Sequence, residues 1–314
     1  MARSFSFAAH SPQITEPNIL MEMVRPQTKV TRLVDNLSIS GNAASKSNGV
    51  LPEAVGASVP WRKAGVKYGT NEIFFDLIEE IDATIDSNGM ATSCDVQGSI
   101  QCNCHLSGMP DCTMTFADPS MLDDLAFHPC VRFSRFQADQ QLSFIPPDGK
   151  CKLLSYCARD CGDNLPLYFK PTISFAGASG HIDIMVGSKG TLPKGAEDLL
   201  VIIPMDAGEG ASMSVGSLNT TFGKTHYDES KKELVWQIGR LPKDKSPCLS
   251  GSLTYHGGLP APSPTLQARF RVPMFSVSGV KVDGLSIINT VAKPYKGVRT
   301  IAKSGRFQVR TAPT

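Results

Sequence analysis

Residues 71–86 read NEIFFDLIEEIDATID, and two periodicities compete in them. Ile73, Phe74, Leu77, Ile78, Ile81 and Ile85 fall on one face of a 3.6-residue repeat, as an amphipathic helix requires. Ile73, Phe75, Leu77, Ile81, Ala83 and Ile85 also alternate as in a half-buried strand, with Glu79 the one polar intruder. The residues that follow decide between the two. Asn88-Gly89 is a strong short-range hairpin signal. Beyond it, MATSCDVQGSIQCNCHL is small and β-branched with a poor helical period. A helix would have to stop there without a clear cap, whereas a strand entering a primed turn and returning as a strand explains both halves. The spacing therefore predicts a strand over 73–86. Asp76, placed among the bulkiest residues of that strand, then needs a reason of its own.

The same punctuation recurs along the chain. Pro146-Pro147-Asp148-Gly149 stands between two apolar runs, and Ser304-Gly305 separates VRTIAK from RFQVR as a two-residue turn would. LYFKPTISF, HIDIMVG, DLLVIIPM, KELVWQIGRL and ARFRVPMFSVSGVKV are β-rich, while 27 Gly and 22 Pro interrupt any helix of useful length. Repeated short strands with turn signals predict an all-β sandwich architecture, and the length from residue 59 onward predicts two subdomains. Residues 1–58 have a Ser-, Asn-, Ala- and Pro-rich composition without period, which reads as a disordered tail or linker, with order beginning near Val59-Pro60-Trp61.

Composition bounds the function. Of 314 residues, 41% are hydrophobic and 19% charged, with a net charge of +2, so nothing global points to nucleic acid or membrane. No run approaches the roughly 18 apolar residues that span a bilayer. The opening MARSFSFAAHSPQ has too short an apolar core for a secretory signal and reads as a frayed or added end rather than a transit peptide. Nine cysteines scattered through a chain this long suit free thiols in a reducing compartment. Cys102, Cys104 and His105 are the tightest group, and their spacing is not that of a zinc site.

Catalytic signatures are absent: there is no phosphate-cradling loop, GxSxG elbow or HExxH helix. His128 in AFHPCVRF reads as a packed turn residue, and Asp123-Asp124, adjacent on a strand, face opposite ways. The segment 293–314 carries six basic residues and no acid. One reading is a solvated strand face. The other follows from a turn at Ser304-Gly305, which would set Lys303 against Arg306 and Arg299 against Arg310 and so require an anion nearby. Asp76 is the candidate partner for Arg299.

WRKAGVKYGTNEIFFDLIEEIDA, HLSGMPDCTMTF, LDDLAFHPCVRF, LSFIPPDGKCKLLSY, IGRLPKDKSPCLSGSL and KGVRTIAKSGRFQVR, in this order, resemble the μ homology domain of clathrin-adaptor medium subunits over residues 59–311. The resemblance is nearest to the branch of adaptor protein complex 3, plant-like in IGRLPKDKSPCLSG; the family's N-terminal longin-type domain is missing, and residues 12–58 resemble its last piece plus the linker, as in a C-terminal fragment. It implies an elongated immunoglobulin-like β-sandwich of two subdomains, the second inserted in the first: A over 59–168 and 272–314, B over 169–271. It implies a non-enzymatic cargo-recognition subunit of a vesicle coat, working peripherally on cytoplasmic faces of Golgi and endosomal membranes with the other adaptor subunits, and no cofactor. The ligand would be an extended Tyr-x-x-Φ signal in a cytosolic tail, Φ being bulky and apolar. Positions matching the tyrosine pocket are Phe74, Asp76, Asn103, Gly297 and Arg299; those matching the Φ pocket are Phe75, Val282, Leu285, Lys296 and Val298. Other family members carry Trp at the position of Gly297 and Lys at that of Asn103, so a shallower site is expected, with affinity of tens of micromolar or weaker, about −6 kcal/mol. Lys224, Lys231, Lys232, Lys243 and Lys245 match a phosphoinositide-touching patch but are interspersed with acids, as on a solvated surface. The competing readings are a scaffold μ domain without tyrosine recognition and a metal or thiol enzyme built on Cys102, Cys104 and His105.

Overall fold

The computed structural model describes residues 59–312 apart from 160, 207, 209, 243–244, 258–262 and 291–292; the tail expected over 1–58 lies outside the described residues. The chain runs β1 (Glu72–Ile85), β2 (Ala91–His105), β3 (Asp111–Phe116), β4 (Asp123–Phe127), a short helix α1 (Phe133–Asp139), β5 (Leu142–Phe144) and β6 (Gly149–Arg159). Then follow β7 (Leu167–Ala176), β8 (Ser179–Ser188), β9 (Glu197–Pro204), β10 (Ser212–Thr220), β11 (Lys224–Asp228) and β12 (Glu233–Gly239). β13 (Cys248–His256), β14 (Thr265–Pro273), β15 (Val282–Ile288) and β16 (Tyr295–Arg310) come last. The strand reading of the opening stretch holds. Alternate residues of β1 from Ile73 to Ile85 are buried, and the others point outward.

β1 and β2 form the expected hairpin, with a longer loop than a two-residue primed turn. The Asp86 carboxylate accepts the amides of Asn88 and Met90, and Gly89 takes a φ of +85°. An aspartate that captures local amides and a glycine in the left-handed region are what such a loop needs.

One nine-stranded sheet, in the order β11-β12-β9-β14-β16-β1-β2-β6-β4, runs through the molecule. Its apolar face is covered by two smaller sheets, β10-β13-β8-β7 and β15-β3-β5. Two cores result. The β15-β3-β5 sheet packs on the first half of β1, the second half of β2 and on β6, around Ile73, Phe75, Leu77, Phe144 and Tyr156. The four-stranded sheet packs on the second halves of β1 and β16 and on β9, β12 and β14, around Trp236, Phe169 and Phe307. The long strands β1, β2 and β6 thus belong to both cores. Pro171 fits because β7 is an edge strand, where a missing amide donor costs no ladder bond.

Ser304-Gly305 is not a turn. β16 passes straight through it, parallel to β1, and carries one extra residue there, a bulge between Ser304 and Phe307 opposite Ile81 and Ala83. The glycine is required because a Cβ on Gly305 would enter the Asp82 carboxylate, which accepts the amide of Arg306 at 2.6 Å. Arg299 and Lys303 therefore face β1 instead of facing Arg310 and Arg306.

Two polar staples lie in the first core. Arg62 is buried and donates Nε to Gly108 O at 2.8 Å, Nη1 to Pro146 O at 3.1 Å and Nη2 to Leu106 O, with Asp148 3.9 Å away. Three of the motifs that carry the family resemblance, around Trp61-Arg62, Leu106–Gly108 and Pro146–Asp148, meet on this one side chain. Glu79 is fully buried, and its Oε1 accepts the hydroxyls of Tyr156, Ser276 and Ser278. Its Oε2 accepts the amides of Val277 and Ser278. Burial, and then the Glu79 charge, push the Tyr156 phenol up from its ordinary pKa, so it stays a donor. Glu79 thereby anchors the connection from β14 to β15 on the middle of β1. Among the described residues no helix is long and apolar enough to cross a membrane.

Candidate functional site

β1 and β16 lie side by side and parallel, so residues in register share a face. On the outer face the row Gly297–Phe74–Asn103 crosses β16, β1 and β2, followed by the row Arg299–Asp76–Gln101. All five residues expected at the tyrosine pocket therefore come together. Asp76 and Arg299, 223 positions apart in sequence, form a two-pronged ion pair: Nε donates to Oδ1, and Nη2 donates to Oδ2 at 2.8 Å. That hydrogen bond and the carboxylate charge hold the Arg299 guanidinium even above its usual pKa. The pair is partly open to solvent, mainly on the Arg299 side, and adds little to stability. It does leave half of the carboxylate's lone pairs free to accept a further donor. This answers the question Asp76 raised: it sits on the wet face, at the point where the chain's last strand brings a guanidinium. The expectation of an anion beside Arg299 is right although the turn that suggested it does not exist.

Phe74 is 42% exposed beside this pair, an apolar ring with no core to enter. Gly297 adjoins it closely; a Cβ there would stand 3.0 Å from Phe74 Cδ1. The Phe74 ring thus leans over the glycine. Asn103, in register with Phe74, is itself in register with Lys150 of β6, which places a cation next to the asparagine on the same face.

The second group lies on the other face. Lys296 and Val298 are in register with Ile73 and Phe75, while Val282 and Leu285 come from β15 and pack against the same core. Phe75 is only 1% exposed, so it forms the floor beneath this region and presents no surface. Leu285 and Lys296 line a groove of about 260 Å³ together with Ser286, Ile287, Lys293 and Pro294; Val282 and Val298 fall outside that lining. The Lys296 ammonium donates across the groove to the carbonyl of Leu285. Ser286, Ile287, Lys293 and Pro294 were not singled out from the sequence, although Lys293 and Pro294 open its acid-free basic stretch.

Both groups border unpaired backbone. β14 pairs with β16 only from Ile301 onward, with Met274 N reaching Thr300 O. Among the described residues, 295–299 therefore have a strand partner on the β1 side alone. β15 is likewise an edge, paired with β3 only.

The competing thiol site is dispersed by strand alternation. Cys102 and Cys104 point into the core, and His105 faces out with Nδ1 3.6 Å from Glu72 Oε1. A hydrogen bond with Cys151 and then burial push the Cys102 thiol up, and burial does the same for Cys104 and Cys112. Such thiols are poor nucleophiles. His128 is buried, with Nδ1 accepting the Cys130 amide at 3.1 Å, as a packed turn residue should. Of the basic patch, Lys231 lies 3.7 Å from Asp228 and Lys232 3.3 Å from Asp206, while Lys243 is outside the described residues.

These features can be set beside known proteins. The fold is that of a μ homology domain: the zebrafish Fcho1 Mu homology domain with bound Eps15 peptide superposes with a TM-score of 0.57 at 15% identity, covering 77% of this chain and 98% of that one. The Adaptor complexes medium subunit family matches residues 59–311, and the chain belongs to that family. It is 41% identical over 308 residues to the AP-3 complex subunit mu of Dictyostelium discoideum, and 39% identical over 307 residues to AP-3 complex subunit mu-1 of Homo sapiens. Each alignment covers 96% of this chain and 71% of the relative.

Proposed function

We propose that this chain is the cargo-reading part of a vesicle-coat adaptor and binds Tyr-x-x-Φ signals in an extended conformation along the free edge of β16. One observation carries the reading: Asp76 and Arg299, brought together from opposite ends of the fold, form a partly open acid–guanidinium pair beside the exposed Phe74. A tyrosine ring resting on Phe74 gains roughly 0.5–1.5 kcal/mol beyond its buried area. Its hydroxyl donates to a free lone pair of Asp76 and accepts from Arg299. Phenylalanine leaves that pair without the extra partner, so tyrosine is preferred. A phosphate is repelled by Asp76 and too large for the space.

The spacing of the signal agrees with the strand geometry. Residues three apart in an extended chain point to opposite faces. Tyrosine on the outer face therefore sends Φ toward the inner one, where the groove between β15 and β16 lies. Main-chain pairing with residues 295–299 would hold the peptide, as in strand addition to an open edge. Within the same proposal, B is the insertion 169–271 and A the remainder. What supports that division is that β7–β13 and most of β14 pack around the second core. Membership of the family supports the other adaptor subunits as partners, and in this reading the protein works peripherally on Golgi, endosomal and vesicle membranes, in transport toward a vacuole or lysosome. No lipid contact is assigned to the lysines of B, since Lys231 and Lys232 are already held by aspartates.

Calorimetry with a Tyr-x-x-Φ peptide and its phenylalanine version tests the reading. The tyrosine peptide should bind at tens of micromolar and the phenylalanine one at least tenfold more weakly, with Asp76→Ser and Arg299→Ala abolishing the difference. Binding by both variants equal to the parent removes the assignment. Peptide retention without tyrosine dependence would favour the scaffold role instead.

A further inference from the structure

Gly297 leaves the tyrosine site without a wall on β16, and the same strand carries one two residues earlier. Tyr295 is 71% exposed, and it opens β16 in register with Glu72. It therefore shares the outer face with Phe74 and Asp76. Along that face β16 presents Tyr295, Gly297 and Arg299 in succession, an aromatic ring and a guanidinium separated by a residue with no side chain. Two residues of strand span about 6.6 Å. A ring resting on Phe74 at the level of Gly297 would thus lie about that far along the strand from Tyr295, comparable to the roughly 4.5–7 Å at which aromatic pairs attract. Phe74, leaning over Gly297 from β1, closes the third side.

We infer that Tyr295 is a binding residue of this site, the second aromatic wall of a three-sided slot made with Phe74 and Arg299, and that its occupant is the tyrosine ring of the peptide. The inference rests on the tyrosine-signal reading above. An aromatic this exposed stacks on no other ring among the described residues, and its neighbours Lys293 and Lys296 are polar. Its hydroxyl stays in water while its ring face is available to a ligand, the arrangement that makes tyrosine effective at binding surfaces. The slot divides recognition in two: Phe74 and Tyr295 select for an aromatic ring, and Asp76 with Arg299 selects for its hydroxyl.

That division sets the test. The 314-residue chain and its Tyr295→Ala, Tyr295→Phe and Arg299→Ala variants are titrated with the tyrosine and phenylalanine peptides. Tyr295→Ala should weaken both peptides by the same factor, about three- to tenfold, leaving their ratio unchanged. Tyr295→Phe should stay within about twofold of the parent, and Arg299→Ala should collapse the ratio. A Tyr295→Ala variant that binds both peptides like the parent, or a Tyr295→Phe variant as weak as the alanine one, overturns the inference while leaving the site standing. A parent that binds neither peptide overturns both. Because Tyr295 is exposed, an unchanged melting temperature shows that the variants are folded.

Discussion

Glu79→Ala is the most informative perturbation of the fold. The carboxylate is fully buried and receives five hydrogen bonds, three from hydroxyls and two from the amides of Val277 and Ser278. The hydroxyls can rotate to seek other acceptors, but the two amides are fixed by the backbone. Stranding each in the interior costs about 1–3 kcal/mol, and the space left by the side chain adds to this. Relief of a buried charge that has no cationic partner among the described residues offsets part of the loss. The net expectation is a destabilisation of about 3–5 kcal/mol, which for a domain of this size lowers the melting temperature by roughly 6–20 °C. Glu79→Gln retains one acceptor oxygen and should cost about half as much. Thermal unfolding followed by circular dichroism measures the shift, and limited proteolysis should show residues 274–280 becoming the first cleaved. An alanine variant melting within about 2 °C of the parent would refute the anchoring role. A glutamine variant as damaged as the alanine one would show that the charge matters and not the number of acceptors.

Four further outcomes follow from close approaches and buried charge. In Gly98→Ala, the new Cβ would fall inside the Tyr156 ring, which is walled in by the core, so about 2–4 kcal/mol of stability should be lost. Because Tyr156 serves Glu79, the thermal shifts of Gly98→Ala and Glu79→Ala should combine to less than their sum. Gly297→Trp should weaken peptide binding by calorimetry, since its Cβ would stand 3.0 Å from Phe74 Cδ1 and displace that ring. Arg62→Lys loses the fork that serves three carbonyls at once and should lower the urea midpoint by the equivalent of about 3 kcal/mol with the slope unchanged.

Much was readable in advance. The alternation from Ile73 to Ile85 and the Asn88-Gly89 signal decided strand over helix, because burial on one face of a sheet imposes a period of two whatever lies beyond. The outlier Glu79 was visible as a breach of that alternation, though nothing local could say what it bound. Arg299 was suspected for a turn that is absent: Ser304-Gly305 has turn composition, but here the glycine serves a bulge that admits the Asp82 carboxylate. Local composition states that the backbone is permissive, and only the neighbouring strand states how that freedom is used. Phe75 was placed at the Φ pocket by position, and burial makes it a floor. Tyr295 was passed over because an exposed aromatic in a basic segment has no signature of its own.

Sequence alone determined the elements: which residues are strands, which face of each is apolar, and which family the motifs belong to. The pairing of Asp76 with Arg299, the stapling of three motifs by Arg62 and the anchoring of Ser276–Ser278 by Glu79 were decided in three dimensions. Periodicity is a property of neighbours along the chain, whereas each of these contacts joins strands or loops distant in sequence, and their register is set only when both cores close.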